Sequence, residues 1–340
     1  MGVWVAGLTE PDGSAPLISV VVTAYNRREY LKRAVDSVLC QTLPRDRYEV
    51  VVSKNFQTEF DDAWTSRNVR LVWFGQGGSG SRVADALRYC RGEVVCFLDD
   101  DDAYLPNKLE TVNSAFVKNP ELQYLTHNAY KVSHLQATSN RLVKTHKESS
   151  IILKPPYYEA PSESFMRNKL WINSSTVAVR RSLMTRWLRH LSRIELAVDL
   201  FYFVCAMASN GIIMFLNRPL SIYMIHAENT SMLGQDAHNT NFLVNWRKYN
   251  LRTLSDTSLC LSMASYSPLQ IYLKRNYLYH KLRLLMYESG RRREKVHTLS
   301  EYISLFGYKS LKRRLVLSAI LSMLSPMVVL KVSEYLSRMG

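Results

Sequence analysis

The sequence is poor in cysteine, and its few cysteines are scattered. None of the five forms a CxxC pair or a Cys/His spacing typical of structural zinc. Small secreted domains held together by disulfides carry many cysteines, usually in even number. The pattern therefore excludes a zinc or disulfide framework and predicts reduced thiols in the cytoplasm. The five are Cys40, Cys90, Cys96, Cys205 and Cys260.

A stretch long enough to cross a membrane is also missing. Residues 1–16, an N-terminal extension, have no basic start followed by an apolar run, so no signal peptide is expected. The C-terminal apolar stretch from Leu315 to Leu330 is interrupted by Pro326. It is shorter than the roughly 20 residues that span a bilayer. We expect this stretch to lie in a membrane interface rather than to cross it.

Acidic residues are scarce near the C-terminus. The chain has 44 Lys and Arg against 29 Asp and Glu, a net charge of +15. Residues 241–340 hold 17 basic and 5 acidic residues, so 12 of the excess charges lie there. We therefore expect residues 237–340 to form a basic helical region on an anionic membrane surface. A buried helical hairpin is the alternative. No nucleic-acid motif is visible, so no such partner is expected.

The N-terminal two thirds of the chain alternates between strand and helix patterns. Four apolar, β-branched runs predict strands, and the segments between several of them have helical spacing. This alternation favours an α/β fold with a parallel sheet covered by helices, over residues 17–236. Ligands of such sheets bind at the carboxyl ends of the strands. The four runs are Leu17–Thr23, Tyr48–Val52, Val69–Phe74 and Glu93–Leu98.

Four consecutive aspartates, Asp99 to Asp102, follow the fourth of these runs directly. Adjacent carboxylates repel one another, so a cation is expected to offset the cost. Mg²⁺ or Mn²⁺ prefers carboxylate oxygens and can be shared with a diphosphate. The alternative is a solvated acidic turn that caps the next helix.

With these pieces the chain resembles the inverting family 2 glycosyltransferases of the GT-A fold, a mixed, mainly parallel sheet flanked by helices. It resembles in particular bacterial and archaeal members with a membrane-associated C-terminal region. The resemblance covers about residues 17–232 and rests on three segments. They are Ile18–Leu31 (ISVVVTAYNRREYL), Gly92–Asp102 (GEVVCFLDDDD) and Ala197–Phe203 (AVDLFYF).

The resemblance implies a hexosyltransferase that uses a nucleotide-sugar donor with Mg²⁺ or Mn²⁺. It implies that Asp101 binds the metal and that Asp99 or Asp100 lies nearer the ribose. Most relatives carry an acidic pair after the second strand, which helps to recognise the nucleotide base, whereas this chain has Ser53 to Phe56 there. The identity of the nucleotide base therefore remains open. The implied substrate-binding residues are Thr23, Ala24, Tyr25, Asn26, Asn55, Arg82, Asp99 and Asp100.

Two downstream residues complete the implied site. An inverting transfer needs a base at the acceptor hydroxyl, and Asp199 matches the base position of the family. Glu195, four residues earlier, is the alternative base if a helix begins early enough to carry both. His226 matches a position near the metal in many relatives. Residues 173–175 match a segment near the acceptor, which is expected to be a glycan or a lipid-linked molecule. The expected location is the cytoplasmic face of a membrane.

A competing motif lies between the third strand and the next helix. Gly75 to Gly80 satisfies G-x-G-x-x-G, and Asp99 follows about 20 residues later, as in dinucleotide-binding enzymes. That fingerprint normally belongs to the first strand–helix unit, whereas two such units precede it here. A dinucleotide-dependent oxidoreductase is the main alternative function, and a catalytically inactive membrane-bound scaffold is another.

Overall fold

The computed structural model describes residues 16–132, 149–156, 173–226, 242–265, 267–288, 291–305 and 313–324. The chain divides into two compact units, residues 1–226 and 227–340. The expected N-terminal extension, except Pro16, and the polar segment 133–148 lie outside the described residues.

The first unit alternates strands and helices along most of its length. Its strands are β1 (Ile18–Ala24), β2 (Tyr48–Lys54), β3 (Val69–Trp73), β4 (Val94–Asp99), β5 (Ala103–Tyr104), β6 (Leu122–Val132), β7 (Ser150–Leu153), β8 (Val177–Arg180) and β9 (Ile212–Met224). Its α-helices are α1 (Leu31–Leu39), α2 (Asp61–Ser66), α3 (Ser79–Leu87), α4 (Lys108–Lys118), α5 (Arg181–Leu191) and α6 (Val198–Ala208).

The described strands form one sheet in the order β3-β2-β1-β4-β8-β6-β9-β5, with β7 on β9. The first four strands of the chain pair in parallel, and β8 joins them antiparallel to β4. Apolar residues of β1, β2 and β4 are buried under flanking helices, which explains their continuous hydrophobic runs. Thr23 is in register with both Ser53 and Asp99, so three strands end at the same level. The expected GT-A architecture, a mixed sheet flanked by helices, is confirmed.

The sequence pattern predicts a helix over Val83–Cys90 and two short strands at 212–215 and 220–224, and the structure differs from both predictions. The helix expected from Val83 begins at Ser79, inside the glycine-rich segment. The two short strands expected at 212–215 and 220–224 form one strand, β9, although Pro219 lies within it. Its pairing with β6 shifts register beside Pro219, so a local irregularity accommodates the proline without ending the strand.

The second unit is helical where it is described. Its helices are α7 (Phe242–Met263), α8 (Ser267–Met286), α9 (Arg292–Leu305) and α10 (Arg313–Leu324). Apolar side chains of α8, α9 and α10 form a common core. Ion pairs join the helices at their surface: Lys274 to Glu301 at 2.8 Å and Lys281 to Glu294 at 3.2 Å. These pairs use acidic residues that the net charge already counts, so the basic excess of residues 241–340 is unchanged by them.

The apolar stretch that begins at Leu315 is an amphipathic helix in its described part. Val316, Ala319 and Met323 of α10 contact the core of the unit. Leu317 and Ile320, in contrast, are 57% and 47% exposed. Among the helices of the described ranges, none combines the length and hydropathy needed to cross a bilayer. Residues 325–330 of the stretch lie outside the described residues.

Candidate functional site

The loops that follow β1 and β2 are tied together at the carboxyl edge of the sheet. Asn26 has a left-handed backbone, with φ of 61°, a conformation that asparagine tolerates better than most residues. Its N–H donates to Asn55 Oδ1 at 3.0 Å, and Asn55 Nδ2 donates to Asn26 Oδ1 at 2.7 Å. The structure thus places Asn26 and Asn55 in direct contact just beyond Thr23 and Ala24.

Three side chains form an aromatic platform beside this pair, defined by Tyr25, Phe74 and Arg82. The rings of Tyr25 and Phe74 lie nearly parallel, with centroids 6.0 Å apart. The guanidinium of Arg82 lies 4.7 Å from the Tyr25 ring centroid and 5.5 Å from that of Phe74. Tyr25 is 46% exposed, so the platform offers a planar surface for stacking. Phe74 was not among the expected site residues. Its position at the end of the third apolar run could have indicated it, because ligands bind at the carboxyl ends of the strands.

The acidic turn, Asp99 to Asp102, holds its four carboxylates in different environments. The Arg27 guanidinium bridges two of them: Nη1 donates to Asp101 Oδ2 at 2.7 Å, and Nη2 pairs with Asp100 Oδ1. His226 Nε2 lies 3.0 Å from the same Asp101 oxygen. Arg33 donates to the backbone carbonyl of Asp101. Two arginines that the sequence reasoning missed therefore offset much of the expected repulsion. The only indication in the sequence that Arg27 and Arg33 belong to the site is that both follow β1 closely.

Burial sets the protonation of this turn. It raises the pKa of Asp100 to about 7, although Arg27 opposes the rise. It raises the pKa of Asp99 well above the usual range, and the charges of Asp102 and the other aspartates add to the effect. A cation at the turn would favour the ionised carboxylates.

Asp102 faces away from the open side of the turn. Its Oδ2 accepts from Asn173 Nδ2 and its Oδ1 from the Met224 N–H, each at 3.0 Å. Burial and the charge of Asp101 raise the pKa of Asp102 to about 6. Ser175 Oγ accepts from the Asp99 N–H at 3.0 Å. The segment 173–175, expected near the acceptor, is thus fastened to the acidic turn.

A fully buried lysine lies behind this segment. Lys108 Nζ donates to the Ser175 carbonyl at 2.6 Å and to Ser221 Oγ at 3.3 Å. It also lies 3.4 Å from the Tyr104 ring centroid. Burial lowers the pKa of Lys108 to about 7. Sequence reasoning missed this residue, because a lysine in the first turn of a helix is normally solvated.

Asp199 lies in the first turn of α6, with Oδ1 accepting from the Leu200 N–H at 2.8 Å. The charge of Asp199 makes the smallest of the contributions that raise the pKa of Asp99, so the two carboxyls lie within electrostatic range of each other. Helix α6 begins at Val198. Glu195 therefore lies in the preceding loop, so the helix does not begin early enough for one helical face to carry both acids.

The glycines of the competing motif have a packing role in this fold. A Cβ on Gly78 would lie 2.5 Å from the Ile194 carbonyl oxygen, and one on Gly80 would lie 2.9 Å from the same atom. The N–H groups of Ser79 and Gly80 donate to Glu195 O and Ile194 O, both at 3.0 Å. These amides at the start of α3 are the ones a bound pyrophosphate would need. Their use in packing argues against a dinucleotide site.

The oxygen and nitrogen atoms at the acidic turn that could ligate a metal suit an ion that also binds a phosphate. In the ranges that the structure describes, no three His, Cys, Asp or Glu side chains form a metal-binding group. Asp101 Oδ2 and His226 Nε2 nevertheless lie 3.0 Å apart, close to the spacing of two neighbouring ligand atoms at about 2.1 Å from one ion. Asp100 Oδ2 is buried without a hydrogen-bond partner among the described residues. Mg²⁺ commonly takes one or two protein carboxylates and completes its shell with water and substrate phosphates. The residues fit such an ion.

The family comparison places the first unit among known proteins. Residues 19–183 match the model of a family described as Glycosyl transferase family 2. An uncharacterized glycosyltransferase of Rickettsia felis is 28% identical over 134 residues, 38% of this chain and 22% of that protein. The chondroitin synthase of Pasteurella multocida is 28% identical over 240 residues, 67% of this chain and 23% of that protein. The chain thus matches less than a third of the length of these two relatives.

Solved structures give the same architecture. A crystal structure of S. aureus TarS 1–349 superposes with a TM-score of 0.54 at 14% identity, covering 91% of this chain and 88% of that one. The same fragment in complex with UDP-GlcNAc gives 0.52 at 16% identity, with the same coverage. At such low identity the likeness shows the fold alone.

Proposed function

Because residues 19–183 belong to glycosyl transferase family 2, we propose that this protein transfers a sugar from a nucleoside diphosphate sugar to an acceptor hydroxyl or phosphate. One observation carries the proposal: the aromatic platform and the acidic turn meet at the carboxyl ends of adjacent parallel strands. The platform offers a stacking surface to a base, and the turn offers carboxylates to a cation that accompanies a diphosphate.

In this proposal each residue group has a separate task. Tyr25 and Arg82 hold the nucleotide, while Asn26 and Asn55 border it. Asp101 and His226 hold Mg²⁺ or Mn²⁺, which would neutralise charge on the leaving diphosphate. The two nearby arginines that contact the turn add positive charge to the same side of the site.

Asp199 is proposed as the base of an inverting transfer. It lies partly exposed in the first turn of α6, within electrostatic range of Asp99 at the start of the acidic turn. As the acceptor oxygen attacks the sugar carbon from the face opposite the diphosphate, Asp199 takes the acceptor proton. The loop that precedes α6 is held by backbone hydrogen bonds to α3, which fixes where this helix begins.

Calorimetry tests the donor and the metal together. UDP-GlcNAc is the first probe, because TarS 1–349 was crystallised with it, followed by other UDP-, GDP- and dTDP-sugars. We expect one class of donor to bind with Mn²⁺ and to lose affinity in EDTA. Asp101→Ala should abolish the metal-dependent part, whereas Asp62→Ala, at an exposed position of α2, should not. Unchanged affinity in EDTA would remove the metal from the proposal. Tight binding without transfer or hydrolysis would favour an inactive scaffold.

We further propose that the second unit docks on an anionic membrane surface at the cytoplasmic face and that the acceptor is lipid-linked. Support comes from the net positive charge of residues 241–340 and from exposed Leu317 and Ile320 on α10. Acyl-chain contact by these two side chains would resist salt, whereas headgroup attraction is screened over about 10 Å at 0.1 M salt.

Co-sedimentation with vesicles of anionic phospholipid tests the membrane proposal. The full chain should pellet at low salt and leave a salt-resistant fraction. Leu317→Ser with Ile320→Ser should lose that fraction, whereas Val117→Ser, an exposed change in the first unit, should not. A chain that stays in the supernatant at low salt would contradict both membrane docking and the lipid-linked acceptor.

A further inference from the structure

Arg27 occupies the position in which a metal ion would otherwise neutralise the carboxylates of the acidic turn. Its guanidinium forks across two carboxylates of the acidic turn, Asp100 and Asp101. Their side chains are only 2% and 7% exposed, whereas that of Arg27 is 24% exposed. Paired, buried carboxylates need a counter-charge, and the planar guanidinium supplies one with two directed hydrogen bonds. Solvent therefore reaches the Arg27 side chain, whereas the two carboxylates are almost fully covered.

The same carboxylate oxygen is shared with the expected metal ligand. Asp101 Oδ2 lies 2.7 Å from Arg27 Nη1 and 3.0 Å from His226 Nε2. A divalent cation coordinated by Asp101 and His226 would take this oxygen as a ligand at about 2.0–2.2 Å. It would then stand beside a guanidinium of the same sign in a partly buried site, where repulsion is screened little. The ion and Arg27 therefore compete for the same carboxylate oxygen.

The other arginine at the turn is placed differently. Arg33 donates to the backbone carbonyl of Asp101 and makes no ion pair among those found in the described residues. It can keep that hydrogen bond while a metal occupies the carboxylate side. The competition therefore concerns one side chain.

We propose that Arg27 is an exchangeable internal cation. It stabilises the acidic turn when no metal is bound, and it competes directly with the divalent ion for Asp101. When the ion enters with a diphosphate, Arg27 releases the carboxylates and its fork becomes available to phosphate oxygens, which it suits equally well. The consequence is that the site binds the metal weakly alone and more strongly together with a nucleoside diphosphate. This inference rests on the metal site of the proposed function but not on sugar transfer.

Mn²⁺ binding to the full chain tests the proposal, with free Mn²⁺ followed by electron paramagnetic resonance. Arg27→Gln should bind Mn²⁺ alone about tenfold more tightly or better, since an ion pair worth about 1.4 kcal/mol is a factor of ten. Arg28→Gln is the matched control, because the guanidinium of Arg28 lies over the Phe56 ring at 5.7 Å, away from the turn. It removes the same charge one residue later. Arg27→Lys, which keeps the charge without the fork, should lie in between.

A thermal measurement supplies a second readout. In metal-free buffer Arg27→Gln should melt lower than Arg28→Gln, and Mn²⁺ should restore more stability to Arg27→Gln than to wild type. UDP should raise the Mn²⁺ affinity of wild type more than that of Arg27→Gln, because only wild type has to displace the arginine.

The outcomes separate this inference from the proposed function. If wild type binds Mn²⁺ and Arg27→Gln binds it no more tightly than Arg28→Gln, competition by Arg27 is refuted while the metal site stands. If no variant binds Mn²⁺ with or without UDP, the metal role of Asp101 and the inference both fall. Tighter binding by Arg27→Gln, absent in Arg28→Gln, supports the inference whatever the transfer assay gives.

Discussion

Substituting Gly80 by alanine should weaken the first unit by a calculable amount. Gly80 is the second residue of α3, and an added Cβ would lie 2.7 Å from Ile194 Cβ and 2.9 Å from Ile194 O, with the Leu191 carbonyl oxygen closer still. Real Cβ atoms essentially never approach other atoms within 3.0 Å. Two of these atoms are backbone oxygens, so no side chain can rotate away, and α3 must separate from the loop that follows α5.

The size of the effect follows from two opposing terms. Overpacking costs about 1–3 kcal/mol, and a clash with backbone oxygens that cannot rotate away belongs at the upper end, about 2–3 kcal/mol. Alanine in place of glycine within a helix returns about 1 kcal/mol. A net loss of about 1–2 kcal/mol corresponds to a melting temperature lower by roughly 2–8 °C in a unit of this size. Turnover should fall as well, because the displaced loop leads into α6 and Asp199.

Differential scanning fluorimetry and a transfer assay check this prediction, with Gly75→Ala as the control. A Cβ at Gly75 meets nothing within 4 Å, so the packing argument predicts that only Gly80→Ala is damaging, whereas the dinucleotide motif predicts that Gly75→Ala is damaging as well. In a dinucleotide site the first glycine makes the tight turn and tolerates substitution poorly. A melting temperature of Gly80→Ala equal to that of Gly75→Ala would refute the packing argument. Damage confined to Gly75→Ala would revive the dinucleotide alternative.

Three further results are expected. Asp199→Asn should lower turnover about 100-fold or more and leave donor affinity nearly unchanged, whereas Glu195→Gln should retain most activity; the reverse would assign the base to Glu195. Tyr25→Ala should weaken binding of the nucleotide-sugar donor roughly tenfold to a hundredfold through lost stacking. Wild-type affinity in calorimetry would mean that the nucleotide base does not stack on Tyr25. Burial lowers the pKa of Lys108 to about 7 from 10.5, so unfolding takes up a proton between these values and stability gains from this group as the pH rises through them. Denaturant unfolding at about pH 7 and about pH 10 should show a larger rise for wild type than for Lys108→Met; equal rises would contradict it.

Much of the first unit could be predicted from local patterns. The apolar runs that became β1, β2 and β4 are buried on both faces of the sheet, so they read as continuous hydrophobic segments rather than as alternating ones. Parallel strands end at one edge, so chain direction alone predicts that the Asp cluster after Leu98 lies at the edge where β1 also ends, and Thr23 is indeed in register with Asp99. Local patterns were less reliable where packing overrode them, as at the start of α3 and along β9.

The contacts inside the candidate site were beyond the reach of local patterns. Arg27 and Asp101 are 74 residues apart in the chain, and His226 and Asp101 are 125 apart. Likewise, the burial of Lys108 depends on Ser175 and on Ser221 of β9, which are 67 and 113 residues away in the chain.

The sequence by itself therefore determined the fold class, the edge of the sheet that carries the chemistry and the acidic turn on it. These depend on hydrophobic period and chain direction, which are properties of neighbouring residues. Tertiary structure decided that Arg27 faces the carboxylates of the acidic turn and that Asp199, not Glu195, lies in the first turn of α6. It also decided that Gly78 and Gly80 pack against a loop. Those outcomes depend on distances between segments far apart in the chain, and only the packed core sets such distances.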